Sequence, residues 1–210
     1  IDKVNIGNGL AYTKSFFGEP NAIKRSQTNP DVEFYYYIKD KFIFTIITSD
    51  KRVNGYSVLS RITDFSPEVP FSAPLGKSTI LDEASGEFEY SFDTGNLIYY
   101  LESQNLGKDK MFLSLSKGFI EYAAIPSSIN SPDNYLASVK IALNEIDSLL
   151  IYSDTNKDLE KEINSLRGKI KPNYYAVSEL NHKIVAESLL TRFEYQTFTK
   201  SWTRGFYVFI

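Results

Sequence analysis

The sequence predicts an α+β fold: a short helix plus an antiparallel sheet unit, a second copy of that unit, then a helical hairpin and a terminal strand. Aromatic residues reach 15%, with 15 Tyr and 15 Phe, and flat rings suit a pleated, half-buried surface. Residues 34–62 carry three runs of aromatic and β-branched residues separated by turn-forming stretches, which is the pattern of a meander. Beyond Ser131 the apolar spacing becomes helical, with Leu136, Val139, Leu143, Ile146 and Leu150 in one stripe.

Residues 9–17 (GLAYTKSFF) form the first expected helix. Leu10, Lys14 and Phe17 share a face, Gly18 can take the left-handed conformation that closes a helix, and Pro20 forbids continuation. Residues 21–32 are polar and turn-rich, and a loop is expected there. Residues 34–38 and 42–48 flank Asp40-Lys41 at hairpin spacing, and residues 53–62 add a third strand through Val53, Tyr56, Val58 and Ile62. The first two runs are apolar on both sides near their centres, so a covering layer is expected on each face of the sheet. Within FYYY, Phe34 and Tyr36 must face one side and Tyr35 and Tyr37 the other. Core packing is the plainer reading of this run. A partner surface is the sharper one, because Tyr joins a large apolar ring to a polar tip, and it makes Tyr35 and Tyr37 the candidate binding residues.

Pro67, Pro70 and Pro74 mark a connector, after which the first unit is echoed. LGKSTILDEASG (75–86) matches the outline of IGNGLAYTKSFFG (6–18), and strands are expected at 88–92, 97–101 and 111–115. Turns fall at 93–96 and 106–109, and a fourth strand at 119–123 follows a Lys117-Gly118 turn. Ser131 can cap the next helix and Pro132 suits its first position. A partner helix is expected at 155–167, with Leu159, Ile163 and Leu166 inward and Gly168 as its stop. After Pro172, NYYAVSEL is ambiguous between extended and turn, residues 180–193 return to helical spacing, and EYQTFTKSWTRGFYVFI reads as one or two strands. The expected units are therefore 1–66, 74–125 and 131–210, packed as one body.

Composition removes several function classes. A net charge of -3 argues against a nucleic-acid binder, which needs a basic face to displace counterions, and Arg167, Lys169 and Lys171 are too few to reverse this. Without cysteine there can be no disulfide, thiol nucleophile or zinc-thiolate site. Gly7-x-Gly9 lacks the third glycine and the preceding strand of a phosphate loop, and Lys14-Ser15 come too late. GKST at 76–79 has Phe71 where a P-loop needs glycine. His182 is the only histidine, which leaves triads and His-based metal sites short of parts, and its place at a helix start suits a surface or capping residue. Asp82, Glu83, Glu87 and Glu89 offer carboxylate pairs for a small Asp/Glu-dependent hydrolase, the least favoured of three readings. No catalytic residue, metal or cofactor is expected.

The apolar-Gly start, the short helix, Phe17-Gly18-x-Pro20, the aromatic strand at 35–38, and Asp50-Lys-Arg-Val53 with Gly55-Tyr56-Ser57-Val58 together resemble the SmpA/OmlA unit. That unit occurs in small lipoproteins of bacterial outer-membrane assembly, and a similar fold occurs in tandem in the β-lactamase inhibitor proteins. The resemblance covers residues 3–60 and, less fully, 74–123. The lipoprotein cysteine is missing and some 85 further residues follow the second unit, so no family site transfers residue by residue. The resemblance implies a non-enzymatic module for protein interaction or envelope assembly, with another protein as partner. Its expected setting is extracytoplasmic in the bacterial envelope, with a membrane tether upstream of Ile1. An inhibitor that binds its target on the sheet face is the alternative.

Overall fold

The computed structural model describes residues 4–83, 86–95, 97–107, 113–152, 156–200 and 207–208. They run in the order α1 (Leu10–Phe17), β1 (Ala22–Arg25), β2 (Val32–Ile38), β3 (Phe42–Ser49), β4 (Arg52–Ser60), α2 (Ile80–Glu83), β5 (Phe88–Asp93), β6 (Tyr99–Asn105) and β7 (Ser114–Ile120). The helical hairpin α3 (Pro132–Tyr152) and α4 (Asn156–Lys169) follows, then β8 (Tyr174–Ser178), α5 (His182–Glu187), α6 (Arg192–Lys200) and β9 (Tyr207–Val208). The class is α+β, as the sequence predicts.

All strands join one sheet in the order β5-β6-β7-β8-β4-β3-β2-β1-β9. Pairing is antiparallel throughout, except where β9 lies parallel to β1 at one edge. The first four strands and β5 to β8 thus march inward from opposite edges and meet at β4 and β8. The second half receives its inner strand only after the helical hairpin. That strand comes from NYYAVSEL, and burial of all five residues of β8 resolves the ambiguity in its pattern.

Local chemistry explains most element boundaries. Asp50 and Lys51 both have positive φ (52° and 60°), as a two-residue hairpin loop twisted to match its strands requires. The segment before α1 docks on this hairpin: the Gly7 N–H donates to the Val53 carbonyl and the Leu10 N–H to the Lys51 carbonyl. These amides are therefore spent on the sheet, and the phosphate-loop reading of Gly7 and Gly9 fails for a structural reason. Thr79 and Asp82 cap α2 reciprocally, each N–H donating to the other's side chain.

Several sequence expectations need correction. Residues 22–25 form strand β1 inside the stretch read as loop; Ala22 is buried, and pairing with β2 stabilises a segment with little local pattern of its own. Lys117-Gly118 is no turn but the middle of β7, since Gly118 fits where a side chain would strike β6 and the buried Lys117 ammonium pairs with Glu83. Gly168 lies inside α4, which continues to Lys169. The expected helix at 180–193 is split, because Ser188–Thr191 separates α5 from α6, and residues 192–200 are helical rather than extended. Parts of the turns at 93–96 and 106–109, Met111, and the Arg204-Gly205 turn lie outside the described residues.

The sheet is covered on both faces. Over β1 to β4 and β8, one side holds Phe34, Tyr36, Ile38, Ile47 and Tyr174 beneath α5, α6 and the segment between them, through Val185, Leu189 and Phe198. The other side packs Tyr35, Tyr37, Phe44, Ile46 and Tyr175 against α1 and the connector, through Leu10, Val69 and Leu75. Around β5 to β7, that same side meets the hairpin, where Tyr100 and Phe119 pack on Val139, Leu143, Ile146, Ile163 and Leu166. No helix among the described residues is long and apolar enough to cross a membrane.

Candidate functional site

The tyrosines expected to bind a partner are interior. Tyr35 is 6% exposed and Tyr37 0%. Tyr35 donates to the Glu33 carboxylate at 2.5 Å, with Lys14 5.5 Å from its ring centroid. Tyr37 packs on Phe17, and its hydroxyl has no hydrogen-bond partner among the described residues. Burial pushes the Tyr37 pKa up to about 12. Alternation placed these rings on the correct face; what it could not show was that α1 and the connector close over them.

A cluster of polar side chains lies instead toward the opposite end of the sheet. Register sets Glu89 opposite Ser103, Ser103 opposite Ser116, and Asn105 opposite Ser114, so these side chains share one face across β5, β6 and β7. His182, the first residue of α5, lies over them and is 6% exposed. Its Nδ1 is 2.6 Å from Ser103 Oγ and its Nε2 2.9 Å from Ser91 Oγ, while Ser103 Oγ is 2.6 Å from Ser116 Oγ. The Asn181 side chain caps α5 by accepting from the Ile184 N–H at 3.1 Å, and Ser114 Oγ lies 3.4 Å from the Leu180 carbonyl in the β8–α5 turn, which ties that turn to the sheet. His182 was expected as a surface or capping residue; it starts α5 but is a buried tie between helix and sheet, made possible by serines on the neighbouring strands β5 and β6.

Burial holds the His182 pKa below its usual value, against the opposing pull of the Glu89 carboxylate. The unfolded chain therefore takes up a proton near pH 6.5 that the folded chain does not, and stability should fall as pH drops below that value. The expected slope is at most about 1.4 kcal/mol per pH unit. Urea denaturation at pH 7 and pH 5.5 should show this loss, and His182→Gln should flatten it. Equal pH dependence in both proteins would exclude His182 as its source.

Beside His182 opens a cleft of about 270 Å³ lined by Glu87, Glu89, Ser103, Gln104 and Asn105. Its rim is acidic and its floor neutral and polar, which suits a cationic or hydroxyl-bearing group. The Ser103–His182 contact has the form of a nucleophile and base. Ser103, however, lies mid-strand between β5 and β7, where the backbone N–H groups that could hold an oxyanion serve the ladders. Among the described residues there is no group of three or more His, Cys, Asp or Glu able to hold a metal ion.

Through the sheet from this cleft is an ion pair that orders β5 and β6. Arg167 of α4 clasps Glu102 with two bonds, Nε to Oε2 at 2.8 Å and an Nη to Oε1 at 3.0 Å, and its guanidinium lies 4.0 Å from the Phe88 ring centroid. Phe88, Tyr90 and Phe92 continue as a row of rings along β5, with neighbouring centroids 6.2 and 6.4 Å apart. A separate open groove of about 880 Å³ runs along the outer side of the hairpin, past Ile141, Leu149 and Tyr152.

Fold and site define an α+β protein with a polar cleft at the β5 end of its sheet. No family model and no curated protein matches the chain. Among solved structures, a cysteine-rich secretory protein from Staphylococcus aureus subsp. aureus Mu50 is similar at 12% identity, over 76% of this chain and 73% of that one, with a TM-score of 0.27. That degree of likeness does not bear on function.

Proposed function

We propose that this chain is a non-enzymatic protein-interaction module, of the envelope-assembly kind its resemblance implies, and that it meets its partner at the β5 end of the sheet. One observation carries this reading: every residue of β5 is half-buried or exposed, whereas β2, β3, β4, β7 and β8 are almost wholly buried. The inhibitor reading loses its surface, since Tyr35, Tyr36 and Tyr37 are all covered. A test is affinity capture from the native host with the native chain, with Glu87→Ala/Glu89→Ala, and with Tyr12→Ala/Phe16→Ala on the distant, exposed face of α1. Loss of partner with the first variant alone supports the proposal; equal recovery with all three overturns it. The same resemblance supports a tethered, extracytoplasmic setting, and recovery of the native protein solely from the cytosolic fraction would remove that part of the reading.

A further inference from the structure

We propose that β5 accepts one more strand: an extended segment of a partner protein in which basic residues alternate with apolar ones. This inference rests on the interaction reading above and gives it a partner chemistry. β5 ends the strand order, and no described residue pairs with its outer side, so one row of backbone N–H and C=O groups faces outward. Such an edge templates the pairing of another chain about 4.8 Å away. The residues leading into and along it, EFEYSFD (87–93), alternate strictly. Glu87, Glu89 and Asp93 stand on the cleft side, and Phe88, Tyr90 and Phe92 on the hairpin side. Proline and lysine, common guards of an exposed edge, are missing from this run.

The acids decide which chain can bind. A second copy pairing antiparallel through β5 would keep the same face upward, bringing its own row of carboxylates beside Glu87, Glu89 and Asp93. Centred on Ser91, that arrangement sets Glu89 opposite the other copy's Asp93, a destabilising like-charge pair. The same positions welcome Lys or Arg, with Cβ atoms about 5 Å from those of the acids. A basic side chain opposite Glu89 would stand over the mouth of the cleft, which Glu87 and Glu89 rim. On the other face, apolar side chains would extend the ring row that Arg167 braces from behind. Main-chain bonds would supply affinity and the alternating side chains specificity.

The probe is an end-blocked heptapeptide of alternating Lys and Val, followed by fluorescence anisotropy and by amide hydrogen exchange on the native protein. It should bind at least about tenfold more tightly than the same peptide with Glu for Lys, and more tightly than a fully N-methylated version that cannot form a ladder. It should also slow exchange of β5 amides. Glu89→Lys, at an exposed position, should weaken binding of the Lys peptide about tenfold, with Glu89→Gln intermediate. Binding that survives N-methylation, protection elsewhere than β5, or no binding of the Lys peptide overturns strand addition. A peptide-free dimer with β5 already protected does so too, by assigning the edge to a second copy. If strand addition fails while partner capture still depends on Glu87 and Glu89, the interaction reading stands without it.

Discussion

Arg167→Met should destabilise the protein by about 3 to 5 kcal/mol, the cost of leaving a buried charge without its partner. The Glu102 side chain is 2% exposed and Arg167 is its only cationic partner among the described residues. The remaining contacts, Tyr100 Oη donating at 3.1 Å and Gln104 Nε2 at 3.2 Å, are neutral donors. The guanidinium also bonds Asn164 at 2.9 Å and covers Phe88, so its loss loosens α4 from β5 and β6 together. Arg167→Lys should recover part of the loss, since an ammonium keeps the charge but not the two-pronged geometry. Glu102→Gln combined with Arg167→Met should be more stable than Arg167→Met alone, because the stranded charge is gone. Urea denaturation of the native protein, Arg167→Met, Glu102→Gln and the double variant forms the cycle, and strictly additive effects would refute the coupling.

Gly118→Ala should cost about 3 kcal/mol, at the upper end of the usual range for overpacking. A Cβ there would lie 2.4 Å from the Tyr100 carbonyl oxygen and 3.1 Å from Leu101 Cδ1. The obstruction is the backbone of the neighbouring strand, which cannot yield by a rotamer change, so β6 and β7 must separate where Leu101 pairs with Gly118. Gly9→Ala is the matching control: nothing lies within 4 Å of its Cβ position and its φ is -67°. That change should stay within about 1 kcal/mol, the scale of a lost helix cap. Thermal denaturation of both variants checks the contrast, and similar losses would refute the steric argument.

One element missed in the sequence, α6, carried a readable signal. Thr191-x-x-Glu194 is a capping box, and in the structure the Thr191 N–H donates to Glu194 at 2.7 Å while the Glu194 N–H donates to Thr191 Oγ1 at 3.1 Å. The aromatic and threonine content of residues 193–199 favoured a strand and outweighed that signal. For the second half of the sheet, the echo at 75–86 pointed to a helix followed by strands, but the inner strand lies beyond the hairpin, and the sequence between does not announce the detour. Ser91, Ser103 and Ser116 carried no signal at all, because a serine in a strand becomes part of a site only when register brings a neighbour to it.

What the sequence alone determined is what depends on near neighbours: the α+β class, the hairpin of α3 and α4, the strands β2 to β4, and the division of FYYY between two faces. Helical stripes and strand alternation follow from backbone geometry, so they survive whatever packs around them. Only the tertiary structure decided that Tyr35 and Tyr37 are interior, that His182 is buried between serines, that Glu102 needs Arg167, and that β5 is the strand left at the edge. Each of these depends on pairing or covering by residues far away in the chain. Burial and an open edge are properties of how elements assemble, and local periodicity does not encode which element will cover another.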